Sequence, residues 1–405
     1  MSRLARVLAF LRAEQRTIRQ GLVAMLLASV ASLGAGVTLG FITDTLERLP
    51  GLMVMVPAAI AARGNVFGAL ASRLGTMIHA GLFAPSRERE GGLYQNVFAA
   101  GVLTLSVSFL MAVLAKTLAV AFGVTSISIL DFVVIAILGG VLSSVFVLLL
   151  TIGLAVQAQR QGWDLDSVAA PLITAAGDVL TIPAIYAASF AVGLRWVTPS
   201  LATLCIAATV WVTVRGFLTD LPATRRILRE SLPILTVAAT IDILAGLVIE
   251  SRLGEFVAFP VLLILLPPIL GDAGGLGGIL AARLSSKLHL GVITPRGLPE
   301  APALLDFALV FLFTVLVFPA VGAAADLIAG VLGIASPGLG TVVGITLMAG
   351  VMATSVAAIV AYYSAVTTTR LGLDPDSFGI PLITASMDFV GVVALIVAIS
   401  AFGLT

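Results

Sequence analysis

The sequence predicts an all-α polytopic membrane protein: two parallel five-helix repeats joined by one extra transmembrane linker helix, about 11 spans in all. Three observations predict it. Of 405 residues, 60% are hydrophobic and 11% charged, with a mean hydropathy of +1.16, whereas a soluble domain carries about 25% charged residues. Apolar runs of about 20 residues, the length a spanning helix needs, recur along the whole chain. Finally, the chain matches itself at a shift of 210 residues: Gly162–Asp178 and Gly372–Asp388 are identical at ten of seventeen positions. Without a gap, the same shift carries Pro57, Gly64, Gly68, Leu70, Ala71, Arg73, Leu74, His79 and Gly81 onto Pro267, Gly274, Gly278, Leu280, Ala281, Arg283, Leu284, His289 and Gly291. A unit written twice lets each polar residue meet its copy across a pseudo-symmetry axis.

The elements follow in order. Residues 1–20 read as a basic cytoplasmic segment that lacks a cleavage site. The first repeat, 21–193, holds apolar stretches near 21–43, 52–82, 95–121, 129–156 and 170–193. The linker, 194–230, holds an unpaired apolar stretch near 197–214 and then a basic connector, Arg215–Glu230, with a turn at Leu221–Pro222. The second repeat, 231–405, holds stretches near 231–250, 257–288, 303–333, 340–365 and 380–402.

Five spans is an odd number, so two directly joined copies would face opposite ways. The linker span restores a common orientation. With the N-terminus inside, the cytoplasmic segments collect most arginines, and the outer ones keep Arg48, Arg195 and Arg252. That asymmetry follows the positive-inside rule. It predicts a plasma-membrane protein with a cytoplasmic N-terminus and an extracytoplasmic C-terminus.

Several classes are excluded. The net charge is +1 and no basic stretch is interleaved with aromatics, so nucleic acid is not an expected partner. The single cysteine, Cys205, cannot form an intrachain disulfide. No Cys cluster, His-Glu-x-x-His, Walker loop or Gly-x-Ser-x-Gly is present, so neither an enzyme nor an ATP-driven pump is expected, and no organic cofactor.

The strongest site candidates are Asp178 and Asp388. Each lies about eight residues inside an apolar span, about 12 Å deep at 1.5 Å per residue. An ionised group there costs about 2.5–3.5 kcal/mol or more and normally faces a partner or water. Parallel copies bring both carboxylates to one depth, where they repel unless protonated or bridged by a cation. An acidic pair of this kind is a simple cation filter. The structural alternative is a carboxylate bonded to a neighbouring helix or to Arg63. Thr174 and Thr384 lie one turn earlier on the same face. Near Pro171 and Pro381 the helix is expected to loosen, and freed carbonyls would join the hydroxyls as oxygen ligands.

Secondary metal candidates are more scattered. Asp164, Asp166, Asp374 and Asp376 enter the fifth helix of each copy, either capping it or forming a cytoplasmic divalent site. Neutralising these four is expected to alter feedback by an internal divalent cation. Arg63-Gly64-Asn65 and Asp272-Ala273-Gly274-Gly275 sit mid-way along each second helix. Their glycines permit close packing or an opened backbone, and Asn65 and Asp272 contact either a hydrated ion or the protein. Arg63 opposes a cation path. Glu250 and Asp242 align with Gly40 and Ser32, so the halves have diverged. His79 and His289 lie about four residues before helix ends, as carbonyl caps or as a paired metal or proton site.

Gly-Leu-Asp-Pro-Asp, then Pro-Leu-Ile-Thr, then Asp at 372–388 resembles the membrane domain of the MgtE magnesium channels. The Pro57–Gly81 block is similar to the eukaryotic solute-carrier relatives of MgtE, which fuse two five-helix units in one chain. The resemblance covers both repeats and implies a Mg²⁺ path along the pseudo-twofold axis. It places the pore aspartate at Asp178 and Asp388, the pore carbonyl at Thr174 and Thr384, and a further acid at Asp374 and Asp164. It implies that a single chain, as a pseudo-dimer, suffices in the bilayer. With about 20 residues before the first span, gating by a cytoplasmic magnesium sensor is not expected. Mg²⁺, reluctant to shed its waters, suits a wide site with few carboxylates. A Na⁺- or H⁺-coupled exchanger of Mg²⁺, Mn²⁺, Co²⁺ or Ni²⁺ is the alternative, and a non-transporting scaffold is the contrasting one.

Overall fold

The computed structural model describes residues 15–86, 88–161, 165–371 and 380–404. Thirteen helices run through them: α1 Gln15–Phe41, α2 Thr43–Arg48, α3 Leu52–His79, α4 Gly92–Ala121, α5 Ile129–Gln161, α6 Leu165–Ser189, α7 Val197–Phe217, α8 Pro222–Glu250, α9 Leu253–Ala258, α10 Val261–His289, α11 Ala301–Leu332, α12 Leu339–Leu371 and α13 Ile380–Ala401. Eleven of them, all but α2 and α9, are long and apolar enough to cross a bilayer. The 210-residue shift carries α2 onto α9 and α5 onto α12 end for end. Only α7 has no counterpart.

The structure departs from the sequence reading in four places. Residues 222–230, expected as a connector, form the first turns of α8, with Pro222 at the start where its missing N–H costs nothing. The short helices α2 and α9 lie between the first and second spans of each copy, where no helix was expected. Both α3 and α10 run unbroken through their mid-helix glycines, of which Gly64 and Gly274 face the fifth helix of their copy while Gly275 faces open space. Similarly, α6 continues through Pro171, and Pro381 lies in α13.

The helices gather into two compact units that do not coincide with the two sequence copies. The continuous unit takes Val37–Leu253, and the split unit combines the N-terminal helix up to Gly36 with the chain from Gly254 onward. Each unit thus holds the first helix of one copy and the other four of its sibling.

The continuous unit centres on α3, which packs against α4, α5, α6 and α8; α7 lies against α4, α5 and α8. In the split unit, α10 takes the central place against α11, α12 and α13. Lipid is as apolar as leucine, so helices here associate by close packing and polar bonds rather than by hiding from water. The exchanged helices show the device. A Cβ on Gly36 would lie 2.0 Å from the carbonyl oxygen of Ile264 on α10, and one on Gly246 would lie 2.2 Å from that of Val54 on α3. Gly36 and Gly246 are 210 residues apart, as are Val54 and Ile264. The same backbone-to-backbone contact is made once in each unit, and only glycine permits it.

Candidate functional site

The fifth helix of each copy lies against the second through a glycine. In the continuous unit, Asp178 is 5% exposed on α6. A Cβ on Gly64 would meet Thr174 Cγ2 at 3.4 Å and Oγ1 at 3.6 Å; one on Gly177 would meet Arg63 Cβ at 3.1 Å. In the split unit, Asp388 is 6% exposed on α13. A Cβ on Gly274 would meet Thr384 Cγ2 at 3.0 Å and Asp388 Oδ1 at 3.6 Å. Both units therefore bring the threonine one turn before the aspartate to a glycine of the second helix, and in the split unit the aspartate itself reaches that glycine. Thr174 is exposed and Thr384 half-buried. Within the split unit, the Thr384 carbonyl also faces Gly274, at 3.8 Å from its would-be Cβ.

Arg63 finds its partners inside its own unit. It is 3% exposed. Its Nε donates to Ser143 Oγ on α5, its Nη2 to Ser108 Oγ on α4, and its Nη1 to the Ala59 carbonyl, each at 3.3 Å. A Cβ on Gly140 would lie 2.3 Å from Nη2, so that glycine makes room for the guanidinium. Sequence reasoning could not find this. The two serines are unremarkable one at a time, and an arginine on an almost wholly apolar helix carries no mark of the face it takes.

Asp272 is 4% exposed on α10. The Ser29 hydroxyl of α1 approaches its Oδ1 at 2.7 Å, its Oδ2 at 3.0 Å and the Met25 carbonyl at 2.8 Å. Ser29 was not among the sequence candidates, because its neighbour belongs to the other copy. Asp242, 1% exposed on α8, is a further buried acid.

Glu250 ends α8 and engages backbone: its Oε1 accepts from Gly51 N at 2.7 Å and its Oε2 from Met53 N at 3.2 Å. A carboxylate at the start of α3 satisfies free N–H groups and complements the helix dipole. Asn65 is half-buried, and Gly275 is exposed with nothing within 4 Å of a would-be Cβ. His79 and His289 are the last residues of α3 and α10, not four residues before the ends. His289 Nδ1 lies 2.9 Å from the Ser285 carbonyl, a position that caps its own helix. Asp164, Asp374 and Asp376 lie outside the described residues, and so does the side chain of Asp166. Among the described residues no group of three or more His, Cys, Asp or Glu could hold a metal ion. The donors these helices offer a cation are carboxylates, hydroxyls and carbonyls, a set of hard oxygens.

Comparison with known proteins fits this geometry. The MgtE family, described as a divalent cation transporter, matches residues 56–189 and again 266–398. The two matches start 210 residues apart and take in the helices that carry Asp178 and Asp388. The chain is 26% identical to solute carrier family 41 member 2 of Xenopus laevis, over 94% of this chain and 71% of that protein. It is 28% identical to the Mus musculus protein of that name, over 70% of this chain and 50% of the relative. With solute carrier family 41 member 3 of Rattus norvegicus it shares 26% identity, over 65% of this chain and 58% of the relative. Against the mouse relative the chain thus spans about half the partner's length. No solved structure matches.

Proposed function

The chain belongs to the MgtE family of divalent cation transporters, and we propose that it carries Mg²⁺ through the bilayer on a path lined by Asp178 and Asp388. In this reading the ion travels along the pseudo-twofold axis implied by the repeat. The two carboxylates share one hydrated cation, and the Thr174 and Thr384 oxygens hold its waters. Mg²⁺ keeps most of its octahedral shell, so the carboxylates act largely through water. The cation in turn offsets the repulsion and desolvation that two membrane-embedded carboxylates suffer.

One observation carries this reading: two buried carboxylates at the same offset, each with a threonine one turn earlier that packs on a glycine of the second helix. The orientation proposed is a cytoplasmic N-terminus and an extracytoplasmic C-terminus in the plasma membrane, from the arginine asymmetry. Exchange coupled to Na⁺ or H⁺ is the second reading. It is favoured by Asp272, a third buried acid whose counterpart, 210 residues earlier, is Ala62.

The test is dye-reported Mg²⁺ flux into liposomes holding the purified chain, with and without a Na⁺ or H⁺ gradient. Flux down a Mg²⁺ gradient alone supports a passive path, and flux that needs the second gradient supports exchange. Absence of Mg²⁺ flux under every gradient removes both.

A further inference from the structure

We infer that the continuous unit carries a headgroup site for a zwitterionic aminophospholipid, where the start of α4, the end of α7 and the α7–α8 turn meet. Two hollows of about 440 and 540 Å³ lie there, sharing Arg89, Asp220 and Leu221 in their walls. Each has the volume of an ordinary small-ligand site, about 300–1,000 Å³. The larger is walled by Tyr94, Phe98 and Trp211 and carries Arg215. The smaller adds Glu90 and Gln95.

The charges fit a dipolar headgroup. Arg89 and Arg215 offer guanidinium donors to a phosphate, and Glu90 and Asp220 offer acceptors to a primary ammonium. None of these four side chains is ion-paired with another described residue. Opposite charges thus line one groove without cancelling. A purely anionic headgroup would meet two carboxylates there. A choline headgroup has no N–H to give them.

The apolar flank fits acyl chains. Helix α7 is the least buried of the eleven spans, with 22% of its apolar window inside the protein. Trp211 is 62% exposed on its last turns, and the Arg215 guanidinium carbon sits 5.6 Å from the Trp211 ring centroid. Tryptophan and arginine at a span's end mark the headgroup level, and basic hollows between spanning helices receive lipid headgroups. Since α7 has no copy in the other half, neither does this site; its lipid would fasten the linker helix to α4.

Native mass spectrometry of the purified full chain decides this. Phosphatidylethanolamine, phosphatidylcholine and phosphatidylglycerol are added at equal concentration, with inorganic phosphate as competitor. The expected result is several-fold more phosphatidylethanolamine adduct than either other lipid, undiminished by millimolar phosphate. Arg89→Gln with Arg215→Gln should remove the preference. Glu90→Gln with Asp220→Asn should bring phosphatidylethanolamine down to the choline level. Equal retention of the ethanolamine and choline lipids by the parent overturns the proposal, as does a larger phosphatidylglycerol adduct. Displacement by free phosphate overturns the lipid as occupant. So does unchanged preference in variants whose unfolding temperature matches the parent. All four side chains are exposed, and the order of lipids on the parent decides even if a variant misfolds.

Discussion

The interior around Gly140 in the continuous unit and that around Gly350 in the split unit solve one packing problem with opposite chemistry. At Gly140 the space is filled by the Arg63 guanidinium, bonded to Ser108 and Ser143. At the positions 210 residues on stand Ala273, Phe318 and Ala353, and a Cβ on Gly350 would lie 2.4 Å from the Phe318 ring. An arginine and two hydroxyls have been exchanged for one aromatic ring and two methyls. The glycine survives because both fillings need the room.

The same divergence recurs elsewhere. Arg73 Nε donates to Asn96 Oδ1 at 2.8 Å, whereas its copy Arg283 pairs with Asp306 at the same distance and Lys287 joins them. Lys116 donates to Ser126 Oγ at 2.9 Å, while at the matching place Ser336 donates to Asp326. What the halves share is backbone approach; what they have changed is charge. Each unit buries a further carboxylate, Asp242 in the continuous one and Asp272 in the split one, but the continuous unit alone buries the arginine at Arg63, where its copy is Ala273, so the two central aspartates stand in unlike fields.

The largest effect is expected where the halves agree. Gly36→Ala and Gly246→Ala each drive a methyl into a carbonyl oxygen and should cost about 3 kcal/mol, the upper end of ordinary overpacking. Thermal unfolding in detergent should drop by similar amounts for both. A loss at one position and none at the other would break the equivalence of the two exchanged contacts. Next comes the site where they differ. Arg63→Ala leaves a cavity beside two buried hydroxyls and should cost about 2 kcal/mol. Adding Ser108→Phe and Ser143→Ala transplants the other unit's filling and should recover most of that loss. A triple variant no more stable than Arg63→Ala would show that the two interiors are not interchangeable. Smallest is the cap. Glu250→Ala should cost about 1 kcal/mol, the usual worth of a helix cap, seen as a modest fall in unfolding temperature. The copy of Glu250 is Gly40, so Gly40→Ala should leave the start of α10 unaffected.

Spans, repeat and family were legible in the sequence because hydropathy and identity are local properties. Neighbours were not. Nothing in the apolar run at 21–43 says that Gly36 lies on Ile264 of the other copy rather than on Val54 of its own. The usable signal was the pair of glycines at one offset, Gly36 and Gly246, since matched glycines inside two spans mark matched close contacts. Pro222 was read as a turn residue, although its place before Ala-Thr-Arg-Arg also suits a helix start. Of the candidate site, the burial of Asp178 and Asp388 inside their helices was readable from their apolar runs. The anchoring of Arg63, the Ser29–Asp272 bond and the capping by Glu250 were not, because each depends on a residue on another helix.

The central claim is that Asp178 and Asp388 together carry the ion. The most direct measurement is Mg²⁺ flux in liposomes for Asp178→Asn, Asp388→Asn and the double variant, each checked for parental folding. The account predicts that either single change reduces flux sharply and that the double change abolishes it. The two single changes should differ in size, because Arg63 lies beside one site and Asp272 belongs to the other unit. A folded double variant that carries Mg²⁺ at the parental rate would contradict the account and place the ion path elsewhere.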